Sequence, residues 1–319
     1  MRTEFDLIDR YFARPSTHRN DVVVGIGDDG AILRVPAAAE LVVVMDTLVA
    51  GVHFPLYTDP ASIGFKAVAV NLSDLAAMGA EPAWATLALT LPENNEQWLS
   101  AFSEGLFAAL DLYNVALVGG DTTRGPLTIT IQLHGFIPEG CALRRNGAQP
   151  GDEIYITGSI GDAGMALLAL EGKITPQTEH REYFMQRLNR PQARVAEGMS
   201  LRGIANAAID ISDGLLADLG HILEKSHVGA LINIDAVPCS DAFLAQNIQD
   251  NRDIALSSGD DYELCFTVPQ DNIALFQGVS TAWSCPCTRI GVIAAELGLR
   301  CTTKDGVLFS PRRLGYQHF

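Results

Sequence analysis

The feature that most constrains this fold is the repeated pairing of a short apolar run with a segment rich in glycine and aspartate. Such segments occur in GIGDDGA from Gly25, LVGGDTTRG from Leu117, AIDISDG from Ala208 and SSGDDYEL from Ser257. The apolar runs have the length of buried strands, and they alternate with segments of helical periodicity. This pattern predicts an α/β (α+β) fold that carries carboxylates in turns at the ends of its strands.

The order of the elements divides the chain into two halves. We predict an amphipathic helix between Phe5 and Phe12, where apolar residues recur at helical spacing, and a buried strand in the apolar run 41–45. The other elements of the first half are strands at 22–26, 83–91, 115–118 and 127–137 and helices at 59–79 and 95–113. In the second half we predict strands at 153–157, 230–234 and 262–268, a strand ending in AIDISDG, and a helix launched by Pro191.

Chain length and loop signals together predict two domains. A single core usually stops growing near the length of this chain, 319 residues. The segment Ala148-Gln149-Pro150-Gly151 has loop composition and precedes the second series of strands and helices. We therefore place a domain boundary between residues 147 and 148.

Charge and hydropathy exclude two classes of partner. The chain has 22 basic and 38 acidic residues, a net charge of −16, which repels nucleic-acid phosphates and anionic membrane surfaces. No apolar run approaches the ~20 residues of a membrane span, and the N-terminal segment carries acids where a signal peptide would be apolar. We expect a cytoplasmic protein that binds neither nucleic acid nor membrane.

Cysteine and histidine spacing does not indicate a zinc site. The one close cysteine pair, Cys285 and Cys287, has a single residue between its members, and the seven histidines show no HExxH spacing. We expect free thiols in a reducing compartment.

The aspartates form the candidate functional constellation. One of them, Asp74, lies within the otherwise apolar helix KAVAVNLSDLAAMGA, where a buried carboxylate is costly without a cation or hydrogen-bond donors. The chain has only four lysines, at positions 66, 173, 225 and 304. Hard divalent cations such as Mg²⁺ suit oxygen ligands of this kind, especially beside phosphate. A single Asp-Gly turn often has only a structural role, so the hypothesis depends on the whole set. The remaining members are Asp28, Asp29, Asp46, Asp121, Asp210, Asp213, Asp260 and Asp261.

Two familiar nucleotide motifs do not fit. GIGDDG satisfies G-x-G-x-x-G, but its two carboxylates would face a pyrophosphate, and the following AILRVP is predicted to be a strand that ends at Pro36. No lysine has the spacing of a Walker P-loop. Cationic contacts to phosphate would come from Arg124 and from Arg144-Arg145, and His53 lies close enough to Asp46 to share its pocket.

These motifs resemble, in order and spacing, those of the thiamine-monophosphate kinase family. The resemblance rests on GIGDDGA, MDTLVAGVHF, AVNLSDLAAMGA, LVGGDTTRGP, AIDISDGL and SGDDYELCF, and it runs from about Glu4 to the closing GYQHF. More distantly, the chain resembles the superfamily of aminoimidazole ribonucleotide synthetase and selenophosphate synthetase. That superfamily shares a two-domain α/β architecture with an N-terminal mixed sheet and metal-bridged ATP binding.

The resemblance implies ATP-dependent phosphorylation of thiamine monophosphate to thiamine diphosphate by direct transfer, with several Mg²⁺ ions and no protein nucleophile. Residues 1–147 would bind ATP and Mg²⁺ and form a homodimer, and residues 148–319 would complete the substrate site. The implied metal ligands are Asp29, Asp46, Asp74, Asp121, Asp210 and Asp213. The implied nucleotide contacts are Gly120, Asp121, Arg145 and Ser212, and the implied contacts to thiamine monophosphate are His53, Asp260 and Tyr316.

The chain departs from the family pattern at two sites. Val44 and Met45 stand before Asp46 where relatives often carry Ser or Thr, so only a backbone carbonyl remains for the metal. Asp260 replaces a more usual Glu, which shortens the reach of the carboxylate by one methylene group.

Two alternatives remain open. The chain could be another member of the superfamily, one that phosphorylates a carbonyl or amide oxygen. It could also be a non-catalytic protein that binds divalent cations, although the placement of the acids beside glycines argues against this.

Overall fold

The computed structural model describes residues 4–13, 19–246, 248 and 251–316, and it confirms the α/β fold class. The chain forms two compact units. The first consists of Met1–Leu75 with Ala80–Gly140, and the second of Ala76–Gly79 with Cys141–Phe319. Among the described residues, no helix combines the length and the apolarity needed to cross a membrane.

The first unit contains a four-stranded mixed sheet and three helices. In chain order its described elements are α1 (Glu4–Tyr11), β1 (Val22–Val24), β2 (Ile32–Leu33), β3 (Ala39–Val49), α2 (Pro60–Ala77), β4 (Glu81–Leu91), α3 (Glu96–Leu112), β5 (Ala116–Arg124) and β6 (Thr128–Pro138). The sheet order is β3-β6-β4-β5, with β4 and β5 parallel and the other neighbours antiparallel. Strands β1 and β2 form a separate antiparallel pair.

Local sequence signals explain where the two long helices begin. The side chain of Asp59 accepts a hydrogen bond from the Ser62 N–H at 2.9 Å, and that of Asn95 accepts one from the Trp98 N–H at 3.1 Å. Each bond satisfies a backbone donor that a helix leaves free in its first turn. The buried face of α2 lies on the sheet, where the Leu75 side chain is next to Gly135 of β6.

Strand β3 is longer and more exposed than predicted. The expectation that 41–45 is buried is wrong, because Leu41, Val43 and Met45 are 43%, 48% and 62% exposed. β3 is an edge strand in an antiparallel pair, and only one of its faces packs on the core, where Leu48 is buried. Since side chains alternate along a strand, Asp46 lies on the same face as Leu48.

The second unit is built on a seven-stranded sheet. Its described elements are β7 (Glu153–Thr157), α4 (Asp162–Leu170), α5 (Thr178–Asn189), α6 (Val195–Ser200), β8 (Ala207–Asp210), α7 (Leu215–Ser226), β9 (Gly229–Asn233), α8 (Asp241–Leu244), α9 (Asn251–Ser257), β10 (Leu264–Val268), α10 (Ile273–Ser280), β11 (Cys287–Ala294), β12 (Gly298–Thr302) and β13 (Leu308–Phe309), with short 3₁₀ turns at Ile234–Ala236 and Gln270–Asn272. The strand order is β13-β12-β9-β11-β7-β10-β8, and only β12 and β9 are parallel neighbours. Leu215, Leu219 and Ile222 of α7 pack against Ile209 and Ile232 of the sheet in one buried cluster.

Two further expectations can be compared with the second unit. The helix predicted at Pro191 begins instead at Val195, because Arg194 adopts a non-helical conformation in which its guanidinium binds Glu263. All six cysteines are free thiols, as expected.

Candidate active site

In the first unit, Asp46 and Asp74 lie side by side. Asp46 projects from the inner face of β3, and its carboxyl group is hydrogen-bonded to that of Asp74 on α2. Burial raises the pKa of Asp46, and the hydrogen bond from Asp74 and the nearby His53 ring oppose this rise. Two adjacent carboxyl groups repel each other unless a proton or a cation lies between them, so this pair is a candidate Mg²⁺ site.

His53 joins the same group through a tight turn after β3. Its ring Nδ1 accepts a hydrogen bond from the Val49 backbone N–H at 2.9 Å. The backbone N–H of His53 donates to the Val49 carbonyl, also at 2.9 Å. Because Nδ1 acts as an acceptor, the neutral ring carries its proton on Nε2. The turn thus fixes the ring and leaves Nε2 as a donor.

A cavity of about 690 Å³ in the first unit collects three more of the predicted residues. Its lining includes Asp29, Gly120 and Asp121, together with Asp28. The three aspartates are exposed, and the Asp29 N–H donates to Oδ1 of Asp28 at 2.8 Å. The cavity therefore has an acidic wall formed by the GIGDDGA segment and by β5.

Asp46 and Asp121 were expected in turns, and the structure places both within strands instead. β5 continues past its glycines because Gly119 and Gly120 allow it to stay paired with β4. At Gly120, which has φ +154°, an added Cβ would lie 1.9 Å from the Leu87 carbonyl oxygen. The register between β4 and β5 shifts just before this point, a type of irregularity often found beside active sites. Only glycine allows the approach that brings Asp121 to the cavity.

In the second unit, the predicted residues of AIDISDG surround the end of β8. Asp210 is buried and Asp213 is half-buried. Asp218, in the first turn of α7, was not predicted, and its Oδ2 accepts hydrogen bonds from the N–H groups of Ser212, Asp213 and Gly214 at 3.0, 3.1 and 3.1 Å. Burial and the charges of Asp210 and Asp213 raise the pKa of Asp218 to about 8, against the effect of these hydrogen bonds. The sequence did contain a signal for Asp218, because it is an acidic residue in the helix that follows the SDG segment.

Asp260 and Tyr316 lie next to this segment. The Asp260 N–H donates to the Ser212 carbonyl at 2.8 Å, and the Tyr316 N–H donates to the Asp213 carbonyl at 2.9 Å. Asp260 has φ +61°, and its Oδ1 accepts a hydrogen bond from the Tyr262 hydroxyl at 3.0 Å. The structure thus brings Ser212, Asp213, Asp260 and Tyr316 together.

The predicted arginines are exposed. Arg124 ends β5, and Arg144 and Arg145 follow the first unit. The Arg145 carbonyl accepts a hydrogen bond from the Ser226 hydroxyl at 2.9 Å, which fixes its backbone and leaves the guanidinium at the surface.

A buried ionic network beneath the Asp260 turn was not predicted. Glu263 is fully buried and binds Arg194 through two contacts of 2.6 Å and Arg187 through one of 3.1 Å. Asp261 is also buried, and both of its oxygens accept the Gly161 N–H at 2.9 Å. This bond ties the SIGDAG segment to the Asp260 turn. Burial raises the pKa of Asp261 well above its ordinary value.

The donor set fits Mg²⁺. Across the part of the chain that the structure describes, no three His, Cys, Asp or Glu side chains converge on one point as metal ligands. The Asp46–Asp74 pair provides carboxylate oxygens as donors. Mg²⁺ commonly takes one or two carboxylates and completes its shell with water and substrate phosphate, so this pair suffices for one ion.

Comparison with known proteins identifies the family of the chain. The family models for AIR synthase related protein match residues 27–137 with the N-terminal domain and residues 149–304 with the C-terminal domain. The chain is 50% identical to the thiamine-monophosphate kinase of Salmonella typhimurium, over 99% of this chain and 98% of the relative.

Solved structures of thiamine-monophosphate kinases are also similar to this chain. The crystal structure of thiamine-monophosphate kinase from Stenotrophomonas maltophilia is 48% identical, with a TM-score of 0.87 over 96% of this chain and 98% of that one. The structure of AaThiL complexed with AMPPCP and TMP is 30% identical, with a TM-score of 0.78 over 99% of this chain and 96% of that one.

Proposed function

Because the chain belongs to the thiamine-monophosphate kinase family, we propose that it phosphorylates thiamine monophosphate with ATP to give thiamine diphosphate and ADP. The observation that carries this proposal is the full-length likeness to these kinases, in which both sequence and fold agree. The complex of AaThiL with AMPPCP and TMP shows that a relative binds an ATP analogue and TMP together. This reaction belongs to the synthesis of thiamine diphosphate.

The chemistry explains the need for acidic residues. Transfer of the γ-phosphoryl group to a phosphate monoester brings two polyanions together, and each close pair of unit charges costs about 4 kcal/mol at about 4 Å with an effective dielectric near 20. Bound Mg²⁺ supplies the charge that offsets this repulsion and polarises the γ-phosphoryl group. We assign the metal ligands to Asp29, Asp46, Asp74, Asp121, Asp210 and Asp213.

The remaining assignments concern contacts to the nucleotide and to thiamine monophosphate. We assign the nucleotide contacts to Gly120, Asp121, Arg145 and Ser212, of which Gly120 and Asp121 line the cavity of the first unit. His53, Asp260 and Tyr316 contact thiamine monophosphate. The acceptor phosphate is largely deprotonated at neutral pH, so direct transfer in line needs neither a general base nor a protein nucleophile. The residues therefore orient the two phosphates.

We also propose a homodimer and a cytoplasmic location. The outer face of β3 exposes Leu41, Val43 and Met45, an apolar strip that a second copy of the chain would cover. Covering this strip would remove its apolar surface from water.

The test is ATP turnover with Mg²⁺, comparing thiamine monophosphate with thiamine, with the products identified by chromatography. We expect thiamine diphosphate and ADP in equal amounts from the monophosphate alone. D46N and D121N should lower kcat at least about 100-fold while leaving the fold intact, since each removes a metal ligand. The control is D305N, because Asp305 is exposed, as Asp121 is, but lies in a turn outside the site.

Three results would contradict the proposal. ATP consumption only with another acceptor would indicate a sister enzyme of the superfamily. Tight Mg²⁺ binding without ATP consumption would favour a non-catalytic role. Unchanged turnover in D46N or D121N would exclude the metal assignment at that position.

A further inference from the structure

The segment 211–214 is held by its backbone on two sides. On one side, the N–H groups of Ser212, Asp213 and Gly214 converge on a single oxygen, Oδ2 of Asp218, at 3.0, 3.1 and 3.1 Å. Asp218 is only 2% exposed, so these bonds are shielded from water. A buried N–H group without an acceptor is costly, so three backbone donors that meet one shielded oxygen hold the segment in place.

On the other side, the carbonyl groups of the segment accept hydrogen bonds from residues distant in sequence. The Ile211 carbonyl accepts from the Tyr262 N–H at 2.8 Å, and the Ser212 and Asp213 carbonyls accept from the Asp260 and Tyr316 N–H groups at 2.8 and 2.9 Å. The segment therefore lies between Asp218 and the backbones of two residues that we assign to the substrate.

The reason a side chain within the helix performs this role is visible at Gly214. Gly214 occupies the N-cap of α7 with φ +120°, and an added Cβ would lie 2.8 Å from the Ser257 carbonyl carbon. A capping residue with a side chain would be strained there, so the N-cap position offers no side-chain acceptor. Asp218, in the first turn of α7, reaches back and accepts the N–H groups of Gly214 and of the two residues before it.

We propose that Asp218 is a positioning residue for the phosphoryl transfer. It holds the 212–214 segment so that the Ser212 side chain and the Asp213 carboxylate face the nucleotide and metal, while the same segment fixes Asp260 and Tyr316. Asp218 itself touches neither substrate nor metal. This inference rests on the proposed roles of Ser212 and Asp213.

The experiment compares three variants at this position with a buried carboxylate elsewhere in the unit. D218A removes the acceptor. D218N keeps one oxygen in place, and because all three N–H groups converge on one atom, the amide oxygen can replace it. D218E keeps a carboxyl group but moves its oxygens by one methylene group. The matched control is D152A, because Asp152 is also buried and accepts hydrogen bonds from the Gln149 N–H and the Asn206 side chain.

Two readouts separate positioning from general stability. In the protein without substrate, amide exchange in the 212–214 segment should be about 10-fold faster in D218A and unchanged in D152A. In turnover, D218A and D218E should lower kcat per folded molecule by about 10- to 100-fold and raise the Mg²⁺ concentration for half-maximal rate. D218N should keep kcat within about threefold, and D152A should lose only thermal stability. If D218A does not fold, the proposal is tested by whether the kcat of D218N exceeds that of D218E.

The inference is overturned if D218A matches D152A in kcat and Mg²⁺ dependence, or if D218E is as active as D218N. The variants S212A and D213N identify a different failure. If S212A and D213N both turn over like the wild type while D218A still shows faster amide exchange, the assigned roles of Ser212 and Asp213 are wrong. The proposed positioning role of Asp218 is then wrong as well. If the wild type itself does not phosphorylate thiamine monophosphate, the proposed function fails, and the exchange measurement still reports what Asp218 does to the segment.

Discussion

Replacing Arg194 by alanine removes the main counter-charge of a buried carboxylate. Arg194 donates to both oxygens of Glu263 at 2.6 Å, and the two side chains are 6% and 1% exposed. After the change, Glu263 keeps the Thr157 hydroxyl at 2.7 Å and the Arg187 guanidinium at 3.1 Å. The carboxylate therefore stays buried with one cation instead of two.

The expected loss follows from these remaining partners. Breaking a buried ion pair by deleting one member costs about 3–5 kcal/mol, because the other charge stays without full compensation. Since Arg187 and Thr157 remain, we expect the lower end, about 3 kcal/mol. For a cooperative unit of about 150–250 residues this corresponds to a decrease in Tm of about 6–12 °C.

The assay is urea unfolding monitored by circular dichroism, and thermal unfolding is a second measurement. The control is R300A, because Arg300 pairs with Glu296 four residues away on the surface, where the side chains are 36% and 79% exposed. Exposed pairs of this kind contribute about 0.5 kcal/mol or less. The double variant R194A/E263Q should lose less than the sum of its single variants, because the two residues share one interaction.

A loss below about 1 kcal/mol for R194A, equal to that of R300A, would refute this reasoning. It would mean that water or a rearranged Arg187 solvates Glu263 as well as Arg194 does. Strict additivity in the double variant would lead to the same conclusion.

The remaining predictions concern the first unit. G120A should destabilise the protein by at least about 2 kcal/mol and weaken nucleotide binding measured by calorimetry, because its Cβ would lie 1.9 Å from the Leu87 carbonyl oxygen. G119A has no atom within 4 Å of the added Cβ and should stay within about 1 kcal/mol of the wild type; equal losses would contradict the steric argument. M45D should shift the sedimentation coefficient from dimer to monomer, whereas L308D, at a residue of the second unit that is 73% exposed, should leave it unchanged. A monomeric wild type would exclude the proposed interface.

Elements with strong local signals could be predicted from the sequence. The helix predicted at 95–113 is Glu96–Leu112, and the strand predicted at 153–157 is Glu153–Thr157. In the first case a capping asparagine and a run of helical periodicity act within the segment itself, so no knowledge of the tertiary fold was required.

Burial and strand length could not be predicted in the same way. The run 41–45 is apolar throughout, but whether its outer face is covered depends on β3 being at the edge of the sheet. The strand predicted at 115–118 continues to Arg124, because β4 pairs with residues that the glycines had marked as a turn. Both outcomes depend on neighbouring strands that a local pattern does not contain.

The candidate site shows the same division between local and distant information. Its proposed ligands, such as Asp29 and Asp121, occur beside glycines in short motifs, since a carboxylate that meets a ligand must leave the packed core at a chain segment that permits it. The groups that hold these segments are buried and come from far along the chain. Asp261 binds Gly161, which is 100 residues away, and Glu263 binds Thr157, which is 106 residues away. A buried carboxylate is stable only with such partners, and the pairing exists only after the sheet has formed. The motifs therefore identify the residues that can meet the ligand, and the structure is needed to identify the residues that determine where those motifs lie.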